Sequence, residues 1–258
     1  MHILAAGLGM IPFHPPTDFN SIYLITLRWL HFLAGITWIG LLYFFNLVNV
    51  PFLKEMDGAT KGKVIPSLMP KALWWFRWSA VVTVLAGLFY WENSVRGNVA
   101  FLHSQPGGSP ASQGMIMGTF FAIWIGAWLV EYILLSPVKG ALNNGKVLFV
   151  LFLVLVSAAS WLFLRLNEGV EYSNNVLAIG VGGGFGIIML LNVWGIIWRN
   201  NKKTIAWTKA NATDGTPIPP EAAKLARQAF LASRTNTWLS IALLFFMAAA
   251  SHYALFGK

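Results

Sequence analysis

Six stretches of the sequence are long and apolar enough to cross a bilayer, each needing about 20 such residues: about 22–50, 72–92, 115–136, 146–166, 174–198 and 236–256. Between them lie polar or Gly/Pro-rich links. The pattern predicts an all-α, polytopic membrane bundle of about six transmembrane helices forming one integral membrane domain over 1–258. Composition agrees: 57% of residues are hydrophobic and only 10% charged, against roughly 25% charged in soluble domains. Two links carry further signals. Pro51, Pro66 and Pro70 read as breakers between the first two spans, and "QPGGSPASQG" (105–114) reads as an irregular loop. Before the last span, "PPEAAKLARQAFLAS" spaces Ala222, Leu225, Ala229 and Phe230 along one side. That spacing predicts an amphipathic helix lying on the membrane surface or against the bundle.

Basic residues set the expected orientation. Thirteen of the eighteen Lys and Arg fall in the first, third and fifth links, and the opposite side holds only Arg28, Arg96, Arg165 and Lys258. The positive-inside rule then gives both termini outside, with the amphipathic helix cytoplasmic. The same rule accounts for the net charge of +9 without nucleic acid, which is not an expected partner. Residues 1–20 hold no Lys or Arg, so a signal-peptide n-region is missing and insertion is expected to rely on the first long helix. All five histidines, His2, His14, His31, His103 and His252, then fall in the outer leaflet or outside it.

With no cysteine in 258 residues, disulfides, Cys-ligated metals and covalent c-type haem are excluded. A metal would have to be held by His, Met, a carboxylate or a non-covalent cofactor. In "LRWLHFLAGITWIG" (27–40), His31, Gly35 and Trp38 are spaced i, i+4, i+7 on one helix face, with Arg28 a turn outward. An imidazole, a gap without a side chain and a large aromatic suit a flat macrocycle, and Arg28 could neutralise a propionate. The plainer alternative is a His bonded to a neighbouring helix beside a snorkelling Arg. In the last helix His252 follows three alanines and a serine, which makes it the expected partner of His31; His103 and Met247 are the alternative ligands, and Arg165 is a second candidate for a propionate. His2 and His14 read as solvated. Toward the other face, Arg77 and Glu131 are expected to pair as a structural clamp, because unpaired charges within spans are costly. The glycine run "GVGGGFG" (180–186) lies within a hydrophobic stretch and lacks the context of a nucleotide loop. Its small residues Ala178, Gly180 and Gly184 suit close helix packing instead. Trp74, Trp75, Trp91, Trp198 and Trp238 read as an interfacial belt.

Three segments, "LRWLHFLAGITWIGLLYFFN", "ALWWFRWSA" and "SRTNTWLSIALLFFMAAASHY", resemble the N-terminal membrane domain of bacterial membrane-bound urate oxidases, the type fused to a cytochrome c. More loosely, the first helix is similar to that of membrane haem-b protoporphyrinogen oxidases, where a first-helix His is associated with haem; here that would be His31. The resemblance implies a bacterial inner-membrane location and electron transfer to a periplasmic cytochrome. This chain ends at Lys258 without a cytochrome domain, so urate oxidation would need a separate cytochrome c or a larger complex. The expected function is a membrane redox subunit that binds b-type haem near the periplasmic face. A cofactor-free accessory subunit is the alternative, and a transporter the third reading, disfavoured by the absence of repeats.

Overall fold

In this computed structural model residues 14–256 are described; His2 lies outside them. Six helices are long and apolar enough to cross a membrane: α1 (Phe19–Glu55), α2 (Gly58–Ser104), α3 (Gln113–Leu135), α4 (Gly145–Leu166), α5 (Asn174–Asp214) and α6 (Glu221–Ala249). Their starts are written in the sequence. Asp18, Asp57, Ser112, Asn144 and Ser173 each accept a bond from a first-turn backbone N–H of α1 to α5, filling donors that a helix leaves open. Glu221 opens α6 just after Pro219 and Pro220, where it favours the helix dipole. The loop over 105–112 is irregular as expected, with Gly107 and Gly108 in the left-handed region.

The centre of the bundle is α5. Ala178, Ile188, Met189, Asn192 and Val193 are fully buried, and its glycines admit neighbouring rings against the backbone. A Cβ on Gly180 would stand 2.5 Å from Phe163, and one on Gly184 would overlap the Trp124 indole, whose Nε1–H donates to the Gly180 carbonyl at 3.1 Å. The other helices surround α5 and turn Trp29, Ile36, Val154 and Trp161 outward. An exposed apolar sheath on helices whose backbone bonds are satisfied internally is what lipid requires.

His14, His31, His103, His252 and the start of α1 lie toward one end of the bundle, here the histidine end. At the opposite, basic end the helices outrun any bilayer: the 47 residues of α2 measure about 70 Å, more than twice a hydrocarbon core of ~30 Å. Three expectations are corrected here. Pro66 and Pro70 do not break the chain but sit inside α2. This part of α2 packs on the far end of α5, where a Cβ on Gly62 would lie 2.9 Å from that of Ala212, and tertiary packing outweighs two lost amide donors. Nor is the amphipathic segment a separate helix, because it forms the first turns of α6. Its Gln228 accepts from Asn200 at 3.1 Å and donates to the Ser136 carbonyl at 2.8 Å, and its Arg227 donates to Asn143, so polar bonds fix the extension to α5 and to the link after α3. Trp91, assigned to the interfacial belt, is instead buried and donates to the Val176 carbonyl at 3.0 Å. Trp74, Trp75 and Trp238 are exposed.

Candidate functional site

Toward the histidine end, α1, α2, α5 and α6 enclose a cavity of about 590 Å³, within the ~300–1,000 Å³ common for small-molecule and cofactor sites. Six of the residues singled out in the sequence line it together: Arg28, His31, Gly35, Trp38, Met247 and His252. Residues separated by more than two hundred positions thus converge because α6 returns beside α1.

His31 lies about 18 Å along α1 from its start. Its Nδ1 is 2.8 Å from the backbone carbonyl of Thr83 on α2. A carbonyl only accepts, so Nδ1 carries the proton, and in the neutral imidazole Nε2 then keeps its lone pair. That is the arrangement by which a second bond fixes the tautomer and orientation of a ligating imidazole. The Thr83 carbonyl has this capacity to spare in addition to its place in the α2 backbone, since a carbonyl has two lone pairs. The ring reaches it only because residue 87 is glycine: a Cβ there would stand 2.7 Å from both Cε1 and Nδ1 of His31. Gly35 also lines the cavity, and a Cβ there would make only an ordinary contact with Thr83 at 3.6 Å, so the packing does not require glycine at this position.

Around this imidazole the wall is mostly apolar, with a few polar atoms left without partners among the described residues. Trp38 is buried with its Nε1 unmatched, and Asn175 has an unmatched Oδ1. Arg28 is exposed, forms no ion pair among the described residues, and lies with its guanidinium 5.9 Å from the Phe32 ring centroid. An imidazole nitrogen free of protein partners, a cation near the mouth, a thioether and a second imidazole around an apolar space have the chemistry that a haem-sized, amphipathic cofactor would need. No cluster of three or more His, Cys, Asp or Glu side chains stands among the described residues.

His252 is not on the last helix as expected. α6 ends at Ala249, and His252 occupies the turn that follows, its N–H bonded to the Ala249 carbonyl at 3.0 Å. Asn174, the first residue of α5, holds that segment: its Nδ2 donates to the carbonyls of Ala250 and Tyr253, both at 2.8 Å, and its Oδ1 accepts from the N–H groups of Leu255 and Phe256. A side chain in a turn would otherwise wander; four bonds to one asparagine tether this one beside the cavity.

Three other sequence expectations are overturned. Arg165 pairs with Glu168 on an exposed helix end and is not among the cavity-lining residues, because Glu168 is one turn away while the cavity is bordered by other helices. His103 is likewise outside the lining, its Nε2 bonded to the Ala111 carbonyl at 2.7 Å, where it closes the loop after α2. Arg77 and Glu131 do not pair. Buried Glu131 accepts from Asn192 Nδ2 at 2.7 Å, and Asn192 also joins Trp128 and Asn236. Arg77 instead lies over Trp198, 3.9 Å from its ring centroid. The two charges have similar depth but different helix rotations, and depth alone does not bring side chains together.

A family described as urate oxidase N-terminal has a model that matches residues 56–258. No curated protein and no solved structure matches the chain.

Proposed function

The chain belongs to the urate oxidase N-terminal family, and from that premise we propose that it is the membrane redox subunit of a urate oxidase-like system, holding b-type haem in the cavity between α1, α2, α5 and α6. The observation that carries this reading is the imidazole of His31, with its Nδ1 engaged by the Thr83 carbonyl and its ring lining an apolar cavity. His31 Nε2 would hold the iron together with His252, or with Met247 as the alternative, whose thioether would raise the potential. Arg28 neutralises a propionate by a charge-assisted bond. Bound haem would supply reversible one-electron chemistry. The chain's own contribution is to orient the ligand, exclude water with Trp38 and its apolar neighbours, and compensate negative charge at the mouth. With both termini outside, as the basic residues favour, the cavity opens toward the periplasmic half of a bacterial inner membrane, where a separate cytochrome c or a larger complex accepts electrons.

An absorbance spectrum of the purified protein tests this. A reducible Soret band and α-band are expected in the wild type and their loss in a folded His31→Ala variant. A wild-type protein produced with ample haem that shows neither band favours the cofactor-free accessory subunit. Full haem occupancy in His31→Ala removes His31 as the ligand.

A further inference from the structure

At the basic end, independent of the cavity, Arg77 is a cation without an acidic partner in the middle of a tryptophan cluster. Its guanidinium carbon lies 3.9 Å from the ring centroid of Trp198, 5.5 Å from that of Trp194 and 5.8 Å from that of Trp78. Trp194 and Trp198 come from the π-helical turn Val193–Trp198 of α5, a rare geometry that recurs at functional sites. The faces of these rings attract the cation but accept none of its in-plane N–H bonds. Among the described residues no oxygen accepts a bond from Arg77, its Nε is buried and unmatched, and the neighbouring Trp194 Nε1 is buried and unmatched as well. The buried Nε is out of reach of a ligand, whereas the terminal guanidinium N–H groups, half-buried with the residue and without an acceptor among the described residues, leave an unneutralised charge that calls for an anion with several acceptor oxygens.

Depth and exposure identify the source. Trp74, Trp75 and Trp78, on the same two turns of α2 as Arg77, are 47%, 59% and 42% exposed, the behaviour of side chains at the headgroup level of a bilayer. A guanidinium in that layer meets lipid phosphates, and its planar fork matches the oxygens of a phosphate. We propose that Arg77, with Trp194, Trp198 and Trp78, forms a binding site for the phosphate of a phospholipid headgroup at the basic end of the bundle, where an anionic lipid such as phosphatidylglycerol is preferred because its headgroup brings no competing cation.

The test uses the full-length protein, delipidated in detergent, with phosphatidylglycerol added back while native mass spectrometry follows lipid adducts and a thermal-shift assay follows stability. The wild type should retain one tight adduct and show a saturable rise in Tm. Arg77→Gln should weaken that binding at least roughly tenfold, the scale of losing a hydrogen bond to a charged group. Arg77→Met, which keeps an unbranched apolar chain against Trp198 and removes the guanidinium, should weaken it as much, and it decides the matter if Arg77→Gln does not fold. Diacylglycerol, lacking the phosphate, should give no shift, and inorganic phosphate none either. Wild-type lipid binding in both variants, or an equal shift from diacylglycerol, overturns the site; an equal shift from inorganic phosphate overturns its assignment to lipid.

Discussion

Gly87 on α2 occupies the position from which a single added carbon would press on His31 of α1 at 2.7 Å, against Cε1 and Nδ1 together. The contact is on the side of the ring that faces the Thr83 carbonyl, so the ring cannot yield without losing that bond. Gly87→Ala should therefore swing the imidazole away and destabilise the fold by about 1–3 kcal/mol, the scale of overpacking. Haem retained on purification should fall sharply while size-exclusion behaviour stays that of the folded protein. A variant with an unaltered Soret band would show that the ring tolerates displacement and that Gly87 does not position it.

How far this site could be read from the sequence divides along a physical line. Arg28 and His31 stood out because ionisable groups inside an apolar run are costly, Trp38 because its spacing puts a large aromatic on the face of His31, and His252 and Met247 as candidate ligands from the same half of the bundle; all five line the cavity. Thr83, Gly87 and Asn174 gave no such signal. Thr83 acts through a backbone carbonyl that every residue owns, Gly87 through the absence of atoms, and Asn174 through contacts with a turn far along the chain. The six spans were legible from apolar length alone, whereas the reach of α2 and α6 beyond the bilayer was not. There packing between helix ends overrides the prolines, and hydropathy carries no information about it. The expected Arg77–Glu131 pair failed for a related reason, since sequence position gives depth along a helix but the packing sets which way each face turns.

The tether on His252 makes a second prediction. Asn174→Ala removes the two donors and two acceptor bonds that hold residues 250–256. At about 0.5–1.5 kcal/mol net per bond the loss of stability should be a few kcal/mol at most, offset where water replaces the bonds. If His252 is the second ligand, the bound haem should also change its spin state and midpoint potential, and His252→Ala should reproduce that spectroscopic change while Met247→Leu does not. The opposite pattern, a shift in Met247→Leu alone, transfers the ligand role to the thioether.

Acid should loosen the start of α2. Asp57 accepts the Thr60 backbone N–H at 2.8 Å and its hydroxyl at 2.9 Å, and these bonds, the backbone one first, hold its carboxyl below the ordinary range. A folded-state pKa lowered in this way contributes stability that is present above the unfolded value and lost as pH falls through the folded one. The Tm difference between wild type and Asp57→Ala should accordingly be present at neutral pH and vanish on acidification below the carboxylate range. A difference that persists unchanged at low pH would assign the effect of the substitution to helix propensity instead of the cap.

Glu131 provides the sharpest stability test, because its partner is an amide and not the arginine that charge alone would nominate. Asn192 donates to Glu131 at 2.7 Å and to Asn236 Oδ1 at 2.9 Å while accepting from Trp128 Nε1 at 3.1 Å, and Glu131, Asn192 and Asn236 are all buried. Asn192→Ala leaves a carboxyl, the Asn236 amide oxygen and an indole N–H without that partner, each stranded group costing about 1–3 kcal/mol. A double-mutant cycle between Glu131→Gln and Asn192→Ala should give a coupling of about 0.5–3 kcal/mol, whereas Glu131→Gln and Arg77→Gln, which share no bonded partner, should add to within ~0.5 kcal/mol. Coupling in the second cycle and none in the first would mean that the two charges meet in the membrane after all, and that the amide network is not what compensates the buried acid.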